Sequence, residues 1–437
     1  MYHQQSAPKK HLRKTALLWI VLFLSQGVRA QQLTLEQCRE KALNASPSAL
    51  QRSLVEQASA LTREITGAAY LPKIQLNAQA TYQNEVTKVN LTVPGVTIPS
   101  PSKDQYRAVV DVSQTLYDGG ATKAQTNVQM AQYRMQTLQT EVALDQLEDR
   151  VNQLYFAVLF VDAQRSLTEL GIQELDRKVE QMEGMLRNGV GNPTAVDVLR
   201  AERLKLRQKL VELAVSRETA LASLGILMGT ELAPQTKLEI PETVQNLPGG
   251  DPIRPELLVL SEQRALAEQQ AHLLGTKNIP KLQAFVQAGY GNPGLNMFKE
   301  GFQPIALGGV RLNWTIWDFK TSSKERRVAH LNAEMADQQA ENTRRAVRIQ
   351  QLQYRQEIGK YRTLIELDRE AVALRTRVKE TVSAQLQQGV ATANDYLTEL
   401  NNELQARENL RIHELQRLQA EENYRHLMGK PLQSVQR

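Results

Sequence analysis

The sequence predicts a mainly α-helical chain with a β-barrel portion, assembled from two internal structural repeats. Three observations predict it. Landmarks recur in a fixed order: Leu71-Pro72-Lys73-Ile74-Gln75 returns as Ile279-Pro280-Lys281-Leu282-Gln283, and Thr115-Leu116-Tyr117-Asp118 as Thr315-Ile316-Trp317-Asp318. Asn188-Gly189-Val190 returns as Gln388-Gly389-Val390, and Leu227-Met228-Gly229 as Leu427-Met428-Gly429. The offset is about 200 residues, and about 208 at the first motif because the first inter-strand loop is longer. Short segments near each Pro-Lys motif alternate with period two. Two stretches, 121–187 and 321–387, lack proline and are rich in Ala, Gln, Leu, Glu and Arg, the composition of long helices or coiled coils.

The chain begins with a targeting segment, residues 1–30. Lys9, Lys10, Arg13 and Lys14 form a positive region, Thr15 to Gln26 is largely apolar, and Val28-Arg29-Ala30 fits small-residue cleavage. The formal net charge is +6, and the segment carries five basic and no acidic residues, leaving about +1. That balance gives no footprint for nucleic acid. Cys38, the single cysteine, has no lipidation context and is expected as a small helix residue. No mature segment holds about 18 consecutive apolar residues, so no spanning helix is expected. A barrel strand leaves a much weaker signal.

The first repeat covers 31–230. Residues 33–68 read as helical, with Thr34 as N-cap. Residues 71–83 then read as a strand, with Leu76, Ala78, Ala80 and Tyr82 on one face and Gln75, Asn77, Gln79 and Thr81 on the other. That is the pattern of a lipid-facing strand with a wet lumen; a half-buried soluble strand alternates in the same way. A loop rich in Pro and Ser (90–104) leads to a second strand, 105–116. Gly119-Gly120 starts a helical hairpin over 121–229. Its first helix of about 67 residues spans about 100 Å at 1.5 Å per residue, and Gly189 ends it. Residues 231–252 form a Pro- and Gly-rich connector.

The second repeat, 253–430, follows the same order: a helix over 253–277, strands 279–290 and 305–316 around the loop 291–304, and a hairpin over 321–430. Residues 431–437 form a tail. Helices 33–68 and 194–229 laid end to end match the unbroken helix 121–187 in length. Aromatic residues Tyr106, Tyr117, Trp314 and Trp317 lie near strand ends, where barrel girdles sit.

Four strands cannot close a barrel, and an open edge cannot sit in lipid, so closure needs several chains. Three chains give about 12 strands and a lumen that side chains do not fill; two give eight strands and a nearly filled barrel.

No reaction centre is legible. His272, His330, His413 and His426 are scattered on separate helices, without metal-ligand spacing. Gly289-Tyr290-Gly291-Asn292-Pro293-Gly294 matches a dinucleotide string, but Pro293 and a loop stand where a helix N-terminus is needed. No enzyme activity, cofactor or metal is expected. Apart from a channel, the residues are compatible with a periplasmic adaptor or a coiled-coil scaffold without a pore. The duplication of both hairpin and strand pair disfavours the first, and the four alternating strands disfavour the second.

The landmarks Asn44-Ala45-Ser46-Pro47 and Arg254-Pro255-Glu256-Leu257, the Leu-Pro-Lys and Ile-Pro-Lys strand starts, Leu116-Tyr117-Asp118-Gly119-Gly120 and the hairpin-tip Gly-Val pairs together resemble the TolC-like outer-membrane efflux protein family. The resemblance covers about 33–430. It implies a homotrimer with a shared 12-stranded transmembrane β-barrel over a long periplasmic α-barrel. It places the chain in the outer membrane of a Gram-negative-type bacterium, in contact with lipid. It implies a passive exit duct for multidrug efflux or type I secretion, coupled to a periplasmic adaptor protein and an inner-membrane transporter of RND, ABC or MFS type. It assigns adaptor docking to the tips, Asn188, Gly189, Val190, Gln388, Gly389 and Val390. Asp197 and Asp395 match the first position of a family constriction ring, whereas Arg200 and Thr398 stand at the second. Both aspartates also suit the first turn of a helix. Pro72 and Pro280 mark where the chain enters the barrel, and Tyr117, Asp118, Gly119, Trp317 and Asp318 where it leaves.

Overall fold

The computed structural model describes residues 32–87, 100–189, 191–243 and 246–429. The expected targeting segment (1–30), most of the expected loop 90–104, Val190 and the expected tail (431–437) lie outside the described residues. Helices and strands follow in the order α1 (Leu35–Ala45), α2 (Pro47–Gly67), β1 (Lys73–Tyr82), β2 (Asp104–Tyr117), α3 (Ala121–Arg187), α4 (Pro193–Leu227), α5 (Pro255–Gly275), β3 (Lys281–Asn292), β4 (Gln303–Asn313), α6 (Thr321–Gln387) and α7 (Ala393–Met428).

Thr34 caps α1 through a capping box with Gln37. The helix expected over 33–68 is broken at Ser46, which is extended at φ −70° and ψ 131°. The reason is Pro47: it has no N–H to donate, and its ring pushes the preceding residue out of the α region. The break reveals a closer repeat than the sequence suggests. α2 and α5 are both 21 residues long and both begin with proline.

The chain divides into two compact units, to each of which α3 and α6 contribute residues. One comprises the described parts of Met1–Ser46, Gln146–Asp251 and Gln351–Arg437. Its core has two main clusters. In the first, Cys38 and Ala42 of α1 pack with Val151, Tyr155, Phe156 and Leu159 of α3, Leu221 and Leu224 of α4, and Leu415 of α7. The Tyr155 hydroxyl closes it by donating to the carbonyls of Leu33 (2.9 Å) and Glu239. Leu33 itself forms a parallel bridge with Leu238, the neighbour of Glu239. The second cluster lies at the hairpin tips and is described below.

The other unit, Pro47–Asp145 with Pro252–Gln350, holds the sheet. Its strands run in the order β1-β2-β3-β4, all antiparallel. Leu76, Val110, Ala288 and Ala306 align across it, and Ile74, Val112 and Val286 form the next row on the same face. Gln75, Asp111 and Gln287 align on the opposite face, where Arg107 donates to Gln287 at 3.1 Å and the Arg311 guanidinium lies 5.1 Å from the Phe285 ring centre. The apolar face is bare: Ile74, Leu76, Val286, Tyr290, Val310 and Leu312 are all exposed. β1 and β4 each pair on one edge only among the described residues.

Candidate functional site at the strand–helix junctions and hairpin tips

Both repeats build the same junction where a strand turns into a long helix. Tyr70 and Asn278 stand two positions before Pro72 and Pro280, and each proline directly precedes its strand, where no ladder N–H is needed. The Tyr70 hydroxyl donates to Asp118 at 2.7 Å, and the Asn278 amide donates to Asp318 at 3.1 Å. Their carbonyls accept from equivalent positions of the two repeats, Gln114 in β2 at 3.3 Å and Trp314 just past β4 at 3.1 Å. Each aspartate then caps the following helix. Asp118 accepts from the N–H groups of Gly120 (2.9 Å) and Thr122 (2.6 Å), and Asp318 from the N–H of Ser322 (2.9 Å) and from its hydroxyl. Burial pushes the Asp118 carboxyl up, but the bonds from Thr122, Tyr70 and Gly120 outweigh it and hold the group at about 2. The Ser322 and Asn278 donors hold Asp318 well below the usual carboxylate range.

The backbone between strand and helix is left-handed in both copies: Gly119 and Gly120 at φ 68° and 82°, Phe319 and Lys320 at 55° and 63°. A side chain on Gly119 would strike Ile279, whose Cγ2 lies 2.6 Å from the Cβ position. The second repeat carries side chains in the same conformation and so stores strain there. Tyr117 and Trp317 are exposed at the strand ends, and Trp317 meets Phe319 edge to face at 6.0 Å. A bulge between Thr115 and Tyr117 brings Tyr117 opposite Leu282.

At the tips, Gly189 and Gly389 end α3 and α6 at φ 78° and 74°, with their N–H groups bonded to the carbonyls of Leu186 and Leu386. Asn188, Gln388 and Val390 are exposed. Asn192 caps α4 ahead of Pro193, accepting from Thr194 at 2.9 Å. Asp395 closes a capping box on α7: it accepts from the N–H (2.9 Å) and hydroxyl (2.7 Å) of Thr392, which holds its carboxyl below the usual range. Asp197 is exposed and lies 3.6 Å from Arg200, which also pairs with Glu183 at 2.8 Å.

Above the tips the two hairpins share a core of Leu175, Val179, Met182, Val196, Leu199, Tyr396, Leu397 and Leu400. Set into it is a charged cluster. Glu403, only 1% exposed, accepts from Thr376 and Arg407 at 2.7 Å each and pairs with Lys379 at 2.9 Å; Lys379 also reaches Glu174 at 3.1 Å. Lys178 donates to Ser383 at 2.7 Å, with its ammonium 4.9 Å from the Tyr396 ring centre. Neither this cluster nor the Tyr70 and Asn278 caps was anticipated. The signals were present: Glu403 follows Ala393, Tyr396 and Leu400 at core spacing, and Tyr70 and Asn278 share the offset of the proline motifs.

Among the described residues no group of His, Cys, Asp and Glu could hold a metal ion, and no helix is long and apolar enough to cross a membrane. Residues 38–230 match the family model described as outer membrane efflux protein. Over that span, a little under half of the chain, the sequence is similar to the outer membrane efflux protein family. Over about nine-tenths of the chain the fold agrees with those of solved outer-membrane proteins. VceC of Vibrio cholerae aligns at TM-score 0.71 and 16% identity, over 90% of this chain and 96% of that one. MtrE of Neisseria gonorrhoeae, in its open state, aligns at TM-score 0.69 and 16% identity, over 90% and 89%. CmeC of Campylobacter jejuni aligns at TM-score 0.65 and 15% identity, over 92% and 87%. No curated protein sequence matches. The second repeat, outside the matched span, carries the same order of helix, strand pair and hairpin as the first.

Proposed function

We propose that this chain is the outer-membrane exit duct of a tripartite efflux or type I secretion system. Three copies close a 12-stranded barrel in lipid, and their hairpins continue it as an α-barrel through the periplasm. The chain performs no reaction. It provides a passive path, and energy comes from an inner-membrane transporter of RND, ABC or MFS type through a periplasmic adaptor docked at the tips, Asn188 to Val190 and Gln388 to Val390. Asp395 faces the constriction as a ring of carboxylates that favours cations. Asp197, offset by Arg200, contributes less.

One observation carries the reading: an amphipathic four-stranded sheet with a bare apolar face and an open edge at each end. Water penalises the face and lipid penalises the edges, and only closure with further copies inside a membrane satisfies both. Because β1 and β4 lie at opposite edges of the sheet, a disulfide between them joins two copies. Asn77→Cys, combined in turn with cysteines along β4, is expected to give crosslinked species that stop at three copies. A protein that remains monomeric across the whole β4 series refutes the shared barrel.

A further inference from the structure

The segment joining β3 and β4, Pro293 to Phe302, is an unusual loop for a water-bathed surface. It exposes Leu295 (61%), Met297, Phe298 and Phe302 (62%) within ten residues. Scattered exposed apolar residues need no explanation, but a contiguous group signals a partner. The loop has built structure. The Phe298 and Lys299 N–H groups bond to the side chain and carbonyl of Asn296 at 3.1 and 3.3 Å, and Gln303 donates to the Glu300 carbonyl at 3.2 Å. Gly301 turns the chain at φ 84°. Several of its polar groups are thus satisfied internally, which suits an environment poor in water.

The direction of the apolar surface identifies the partner. Phe302 lies 6.1 Å from Tyr106, centre to centre. Tyr106 shares the apolar face of the sheet with Val110 and pairs with Asn292, one row beyond the Ala108–Tyr290 pair. The Tyr106–Phe302 contact therefore joins the apolar face of the sheet to the loop, on the side away from the face bearing Arg107, Asp111 and Gln287.

We propose that this loop is a membrane-contact element: Leu295, Met297, Phe298 and Phe302 lie in the interfacial zone of the outer leaflet, with Lys299 and Glu300 at headgroup level. Aromatic side chains favour that zone, and a lysine stem can lie along it with the ammonium in water. The inference rests on the barrel reading above and extends the lipid contact beyond the strands.

The single cysteine makes the test direct. In a Cys38→Ala background, Phe298→Cys, Leu295→Cys and Val286→Cys are each spin-labelled in liposomes of phosphatidylethanolamine and phosphatidylglycerol. Val286 lies on the apolar face of β3 and reports on the barrel itself. The expected result is that labels at 298 and 295, like the label at 286, relax more strongly with oxygen than with a water-soluble nickel chelate. A label at 286 in lipid with labels at 298 and 295 in water overturns the loop proposal and leaves the barrel standing. Dipolar broadening between labels at 298 overturns it as well, because the loops would then meet one another across the lumen. A label at 286 in water refutes the barrel reading.

Discussion

At Asp118 the structure concentrates several demands on one side chain: it ends a strand, caps a 67-residue helix and holds the residue that opens the preceding strand. Its removal unsatisfies two helix N–H groups and the Tyr70 hydroxyl together. Asp118→Ala is expected to cost about 2 kcal/mol, at the upper end of cap losses, read as a lower unfolding temperature in detergent. The carboxyl titrates at about 2 in the fold against an ordinary value of 3.8. A lowered folded value means the stabilisation is full above the ordinary value and is lost as pH falls from about 4 to 2. Acid titration of unfolding should therefore show a loss in that window that Asp118→Asn lacks. Lys320, left-handed at φ 63°, gives the opposite case. Lys320→Gly is expected to raise stability by about 0.5–1 kcal/mol, measured in the same way. The aspartates were legible in the sequence because both copies keep them. Their partners keep the offset of the proline motifs but were missed, because Tyr70 and Asn278 share no chemistry beyond donating a hydrogen bond, and periodicity does not report a donor.

The elements were legible to the extent that local rules govern them. Proline-free runs gave the long helices, left-handed glycines their ends, and period two the strands. The break at Ser46 was written as Ser-Pro, but the helical pattern on either side of it obscured the stop. The charged cluster at Glu403 was missed for another reason, although Glu403 follows Ala393, Tyr396 and Leu400 at core spacing. Long helices wetted on most sides carry charge everywhere, and only packing shows which carboxylate is enclosed. Removing one partner of a buried pair leaves the others uncompensated, so Glu403→Ala is expected to cost about 3 kcal/mol. Exposed Asp197→Ala should change stability by less than about 0.5 kcal/mol, and parallel denaturation curves compare the two. The Glu403 carboxyl is held below its ordinary value: burial opposes this, and the bonds from Lys379, Thr376 and Arg407 prevail. Its contribution should thus be present at neutral pH and fade in acid. At the hairpin ends, cutting away 184–195 or 384–395 removes the tips and spares the sheet. Three-copy assemblies should survive while crosslinking to an adaptor is lost; undiminished crosslinking would remove the tips from the docking surface.

For the whole molecule, the decisive fact is that one chain leaves its own surfaces unsatisfied. The apolar sheet face, the two open edges and the outer loop each ask for something outside the chain. The repeat explains how one polypeptide supplies two strand pairs and two hairpins, and threefold closure would turn them into a continuous wall. Asp395 belongs to this scale, since its capping role is complete in one chain and its proposed effect on ions exists only in the ring. Asp395→Ala should shift the reversal potential under a salt gradient towards lower cation preference. An unchanged potential would leave Asp395 as a helix cap alone. The most direct test of the duct is the single-channel conductance of the purified mature protein in a planar bilayer, with its mass taken in detergent. A three-chain mass with a discrete, reproducible conductance is the expected result. A monomer that never inserts and passes no current would contradict the duct outright.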